Sequence, residues 1–108
     1  MQFTMTKPGE VYRVDLGMGG KLRMMIVVSR EDPDSPRALC LCVPMTTAYR
    51  GSDYEVELPS MPFLRAKSYA NVQGLQAIQT HELAGPVGLF YGTVLQDLRR
   101  ALKYAMDL

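Results

Sequence analysis

The chain has 108 residues, a length for one domain over 1–108 with a core of modest stability. Hydrophobic residues make up 47% of it, which excludes intrinsic disorder, and it has neither a bilayer-spanning apolar run nor a signal-peptide core, so a cytoplasmic protein with no membrane partner is expected. The net charge of +1 excludes a generally basic nucleic-acid binder, and any RNA contact must use a local patch such as Lys21, Arg23, Arg30 and Arg50.

In chain order, Pro8-Gly9 opens the ordered part, and the alternation over Glu10 to Leu16 predicts a strand. Gly17 to Gly20 reads as a turn. The apolar run from Arg23 to Ser29 predicts a strand covered on both faces. A loop with two prolines follows, then a strand over Ala38 to Val43 and a polar loop from Thr46 to Asp53. Short strands are expected over Tyr54 to Leu58, Ser68 to Val72 and Leu75 to Gln79, and a helical turn over His81 to Ala84. Pro86 to Phe90 fits no single pattern. Thr93 with Gln96 three residues on predicts a capping box. Leu95, Leu98, Leu102 and Ala105 then recur at helical spacing, a terminal amphipathic helix of about four turns. Several short strands and one helix imply an α+β fold, mainly β, a small barrel with a helix packed on it.

The chain's two cysteines, Cys40 and Cys42, stand two apart on one strand face, which does not suit a disulfide between them; they read as buried small hydrophobes. A metal site would need more ligands, and His81, the only histidine, reads as a surface residue. No metal and no cofactor are expected. Glu55 and Glu57 share one face of a strand that reads as an exposed edge.

Two segments carry a functional signal. Arg23 opens an apolar strand after a glycine pair, in Gly-Gly-Lys-Leu-Arg-Met-Met-Ile-Val-Val-Ser (19–29), and Thr46 closes Leu-Cys-Val-Pro-Met-Thr-Thr (41–47). An arginine and a hydroxyl at the ends of adjacent strands can hold a phosphodiester between them. With Lys-Pro-Gly-Glu-Val-Tyr-Arg-Val-Asp-Leu-Gly (7–17) ahead of them, Tyr54 to Pro59 after them, and Asn-Val-Gln-Gly-Leu at 71–75, the chain resembles the MazF/PemK family, in its PemK-like growth-inhibitor branch.

The resemblance implies an SH3-like barrel of the CcdB/PemK/MazF type that forms a homodimer, and a toxin that cleaves single-stranded RNA. Cleavage in that family needs no metal: the 2′-hydroxyl attacks the adjacent phosphate, leaving a 2′,3′-cyclic phosphate and a 5′-hydroxyl. It assigns Arg23 and Thr46 to the scissile phosphate. Lys21, Thr47, Arg50, Gln73 and Gln76 are the candidate RNA-binding residues. Some members carry an acid and an arginine as base and acid; here Gln73 and Gln76 stand there, and neither titrates. The implied partner is a cognate antitoxin whose acidic C-terminal segment mimics RNA phosphates. Two other functions fit the residues: a non-catalytic RNA- or protein-binding module on the same barrel, such as a CcdB-like gyrase inhibitor, and a structural subunit without a nucleic-acid role.

Overall fold

A computed structural model describes residues 5–15, 17 and 22–108 of the chain. Its elements are β1 (Glu10–Asp15), β2 (Leu22–Val27), β3 (Leu39–Thr46), β4 (Glu55–Glu57), β5 (Tyr69–Asn71), β6 (Gln76–Gln79), β7 (Leu83–Leu89) and α1 (Thr93–Met106). The seven strands pair antiparallel in the order β4-β5-β3-β2-β1-β7, with β6 on β3 beside β5. β4 and β7 are the two ends of this order, so the sheet does not close into a hydrogen-bonded barrel among the described residues.

Successive side chains alternate sides, and each sheet face carries a buried cluster. On one face Val11, Ile26, Val43, Val56, Ala70 and Phe90 pack against Leu98 and Ala101 of α1. Tyr12, Val14, Met25, Val27, Cys40, Cys42 and Ile78 form a second cluster. Met25, Ile26 and Val27 are all fully buried, as expected of the continuous apolar run in the sheet's middle. Cys40 and Cys42 are free thiols with sulfurs 3.5 Å apart. Their hydrogen bond lowers the pKa of Cys40, and the same bond together with burial raises that of Cys42. Burial, with a hydrogen bond to Glu10, pushes the Tyr12 phenol up to about 12.

Gly9, just ahead of β1, ties the end of β2 to the residue that follows β7, the two strands that flank β1. Its N–H donates to Val27 O and its carbonyl accepts from Phe90 N, each at 2.8 Å. It has φ +97°, and a Cβ there would stand 2.1 Å from the Phe90 carbonyl oxygen, so only glycine fits.

Several boundaries differ from expectation. β3 runs on through Pro44 to Thr46, because Met45 and Thr46 find new partners in Ala70 and Tyr69 of β5. β2 ends at Val27; Val28 N and Ser29 N then both donate to Leu41 O, which breaks the one-to-one register. The expected turn over His81 to Ala84 is a 3-10 turn over Thr80–Glu82 that passes into β7 at Leu83, and Pro86 to Leu89 of the segment that fitted no pattern belong to β7. The capping box does not form: Gly92, with φ 64°, is the N-cap, Thr93 is already helical, and no side chain caps the helix. Leu16 and the Gly17–Gly20 turn, apart from Gly17, lie outside the described residues. Met61 and Phe63 pack against the helix-side core, with Phe63 edge-on to Phe90 at 5.5 Å.

Candidate phosphate and RNA site

The register of β2 and β3 brings Arg23 and Thr46 together. Their ladder runs Val27↔Cys42, Ile26↔Val43, Met25↔Pro44. Beyond the last paired residues the same diagonal leads to Arg23 and Thr46, which line one groove. Pro44 has no N–H with which to extend the pairing, and the strand ends open there. The gap is a groove of about 330 Å3 lined by Leu22, Arg23, Met24, Met45, Thr46 and Thr47, with Ser68 across it. Arg23 is exposed and Thr46 half-buried, so a charged donor and a hydroxyl both face one solvent-filled space.

Thr46 is oriented by its own loop. Its Oγ1 accepts from Ala48 N at 3.0 Å, a turn that consumes one lone pair and leaves the hydroxyl proton free to donate. Thr46 also pairs with Tyr69 of β5, and Tyr69 pairs with Glu57 of β4. Thr46, Tyr69 and Glu57 thus form a row across β3, β5 and β4, and the continued β2–β3 diagonal leads from it to Arg23. Directly opposite residues in antiparallel pairs share a sheet face, so the row lies on one side.

Thr46 is the ridge between this groove and a second one of about 480 Å3, lined by Arg50, Ser52, Tyr54, Glu55, Asn71 and Gln73. Glu55 organises its rim. Its carboxylate accepts from Ser52 Oγ at 2.7 Å, Ser52 N at 3.0 Å and Arg50 N at 3.1 Å. The Ser52 hydroxyl, then these backbone N–H groups and the Arg50 charge, hold the Glu55 carboxyl below its ordinary pKa. The loop carrying Arg50 is therefore tied to the edge strand β4. Asn71 Oδ1 accepts from Gln73 N at 3.1 Å and starts the short 3-10 turn that presents Gln73.

A third groove of about 340 Å3 continues from Arg23 along the strand ends and adds Arg13 and Arg65 to its wall. Three guanidinium groups thus border one path in a chain of net charge +1.

Of the residues expected from sequence, Arg23, Thr46 and Thr47 share the first groove, and Arg50 and Gln73 share the second with Thr46. Gln76 does not join them: it is on β6 opposite Cys42 and lines neither groove. Lys21 lies outside the described residues. His81 is exposed on the 3-10 turn before β7, its ring hydrogen-bonded to Gln79. Sequence reasoning missed Arg13, Arg65 and the tie made by Glu55. Arg13 carries a signal in principle, since it follows a strand residue of alternating pattern. Arg65 sits in a loop whose return to the site only the tertiary structure sets. Glu55 was read as exposed edge charge, and its position on the end strand β4 agrees, but its carboxylate is engaged.

No group of three or more histidine, cysteine, aspartate or glutamate side chains stands together among the described residues. No helix of these residues is long and apolar enough to cross a membrane.

The family model described as PemK-like, MazF-like toxin of type II toxin-antitoxin system matches residues 7–106. Among solved structures, an endoribonuclease in complex with its cognate antitoxin from a mycobacterial species is 24% identical with TM-score 0.81, covering 95% of this chain and 96% of that one. The Mycobacterium tuberculosis toxin MazF-mt6 is 23% identical with TM-score 0.79, covering 92% and 97%. A MazE-MazF structure from Deinococcus radiodurans gives 19% and 0.78, covering 97% and 98%. At these identities the likeness establishes the fold. A comparison with curated proteins gave no match.

Proposed function

Because the chain belongs to the PemK-like, MazF-like toxin family of type II toxin–antitoxin systems, we propose that it is a toxin acting as a metal-independent endoribonuclease on single-stranded RNA, with residues 1–108 as one cytoplasmic domain. The observation that carries this reading is the groove in which Arg23 meets Thr46 at the parted ends of β2 and β3.

The chemistry follows from that pair. A ribose 2′-hydroxyl attacks the adjacent phosphorus, the bond to the 5′-oxygen breaks, and negative charge concentrates on the non-bridging oxygens. Arg23 offers a planar fork to two such oxygens and stays charged at any working pH. Thr46 donates its free proton to a third position and fixes the phosphate between the strands. Preorganised donors of this kind contribute about 3–4 kcal/mol each. Thr47, Arg50 and Gln73 flank the phosphate position and suit contacts to neighbouring phosphates and base edges. No carboxylate or histidine is among the described residues that line the Arg23 groove, so proton transfer falls to solvent.

The implied partner is an antitoxin segment rich in acidic residues. Its carboxylates would occupy the path bordered by Arg13, Arg23 and Arg65 and compete with RNA. A homodimer is the expected assembly. Leu39 and Leu41, each 43% exposed on one face of β3, with exposed Ala77 opposite Leu41, offer apolar surface for a second copy.

The test is incubation of wild type and Arg23→Ala with a long single-stranded RNA in EDTA, followed by mapping of 5′ ends. Discrete new 5′-hydroxyl ends are expected from wild type, reduced about 10²–10³-fold in rate for the variant. Intact RNA with both proteins selects the non-catalytic binding module instead.

A further inference from the structure

Beside the Arg23–Thr46 pair stands an aromatic residue that the proposed chemistry does not use. Tyr49, on the loop between β3 and β4, stacks on Tyr69 with ring centroids 4.2 Å apart and planes 10° from parallel. Tyr69 is 8% exposed and Tyr49 is 54% exposed. Tyr49 therefore covers Tyr69 with one face and turns the rest of its ring to water. Tyr69 is the cross-strand partner of Thr46, so the stack stands next to the phosphate position on the same side of the sheet.

The ring is also held. On one side of it Ala48 N–H is bonded to Thr46 Oγ1; on the other, Arg50 N–H and Ser52 N–H are bonded to the Glu55 carboxylate. An exposed tyrosine on a loop ordinarily samples several rotamers. Here the buried ring beneath it and the loop's own hydrogen bonds select one, so a ligand that lies on it meets a preformed surface.

We propose that Tyr49 is a stacking platform for one nucleobase of the RNA, that of a nucleotide flanking the phosphate held by Arg23 and Thr46. This rests on the RNA-cleaving reading above. Every base has a π-face, so such a platform accepts any base and selects unpaired strands, whose bases can leave the stack. In a duplex both faces of each base are already covered. Arg50, the next residue, faces the adjoining groove and can bond that nucleotide's phosphate or base edge.

The test starts from a cleavage site mapped with wild-type protein on a long single-stranded RNA. An oligonucleotide spanning that site, with 2′-deoxyribose at the cleaved nucleotide, cannot be cut and reports affinity alone. Tyr49→Leu keeps an apolar cover over Tyr69 but lacks a π-face; Tyr49→Phe keeps both. The Leu variant is expected to bind roughly ten-fold more weakly, the Phe variant within about two-fold of wild type. An abasic nucleotide at one flanking position should weaken wild type and leave the Leu variant unchanged. Equal affinity of wild type and the Leu variant overturns the platform and leaves the nuclease reading intact. Wild-type affinity insensitive to abasic replacement at every flanking position does the same, and needs no variant to fold. A wild type that gives no cleavage site overturns the nuclease reading and the platform with it.

Discussion

A threonine hydroxyl has one proton and two lone pairs, and at Thr46 a lone pair is already engaged by Ala48 N–H. What it offers a phosphate is the proton. Thr46→Ser is therefore expected to keep most cleavage activity, while the isosteric Thr46→Val loses about 10²-fold or more. Single-turnover cleavage of one RNA by both variants checks this, and equal rates would refute the role given to the hydroxyl. Among the described residues that line the Arg23 groove there is no carboxylate or imidazole to accept or return a proton. The rate of wild type should accordingly rise with pH without the bell shape that a paired side-chain acid and base produce. A pH profile between weakly acidic and weakly basic buffers decides it, and a descending alkaline limb would point to a titrating acid.

At the scale of elements, the loop between β3 and β4 matters more than its irregular backbone suggests. One carboxylate, Glu55, satisfies three donors of that loop. Its folded pKa is depressed, so its contribution to order is complete above the ordinary carboxylate pKa and disappears as pH falls through the lowered value. Protection of the Arg50 and Ser52 amides, taken relative to their intrinsic exchange rates, is expected to fall at acid pH, and at neutral pH in Glu55→Ala, while the amides of β2 stay protected. Exchange that is unchanged in Glu55→Ala would show that the loop is held by other contacts. The helix start makes a related point. Thr93 and Gln96 have the spacing of a capping box, yet the backbone enters α1 through Gly92 at a positive φ of 64°, and this places Thr93 one position too late to cap. A spacing rule sees residue types; it does not see the direction from which the chain arrives.

At the scale of the whole molecule, stability and assembly separate. Leu98 is 1% exposed at the junction of α1 with the sheet, and Leu98→Ala should cost about 2–5 kcal/mol, measured by denaturant unfolding. Leu39 and Leu41 stand on the surface, so the double change Leu39→Glu, Leu41→Glu should leave folding nearly intact and shift the protein toward monomer in sedimentation. A double variant that sediments as wild type does would place the contact between copies elsewhere.

Local patterning alone determined much of this. The apolar run of β2, the alternation of β1 and the helical spacing of Leu95, Leu98 and Leu102 each record burial in a period that the backbone geometry imposes. Arg23 and Thr46 were legible because each sits at a strand end within a recognisable series of residues. The paired sulfurs of Cys40 and Cys42 were legible too, since alternation puts them on one face. What only the tertiary structure decided depends on strand register and on loops that return from a distance. The diagonal through Met25 and Pro44 leads to Arg23 and Thr46; the pairing of Thr46 with Tyr69 sets Tyr49 beside the site; and the loop after β4 brings Arg65 to the same path as Arg13. Gln73 and Gln76 are three residues apart in sequence, yet a 3-10 turn and a change of neighbouring segment of β3 send one into the groove and the other away from it. Register is a contact between strands distant in sequence, chosen by the packing of both cores at once, and no local pattern carries it.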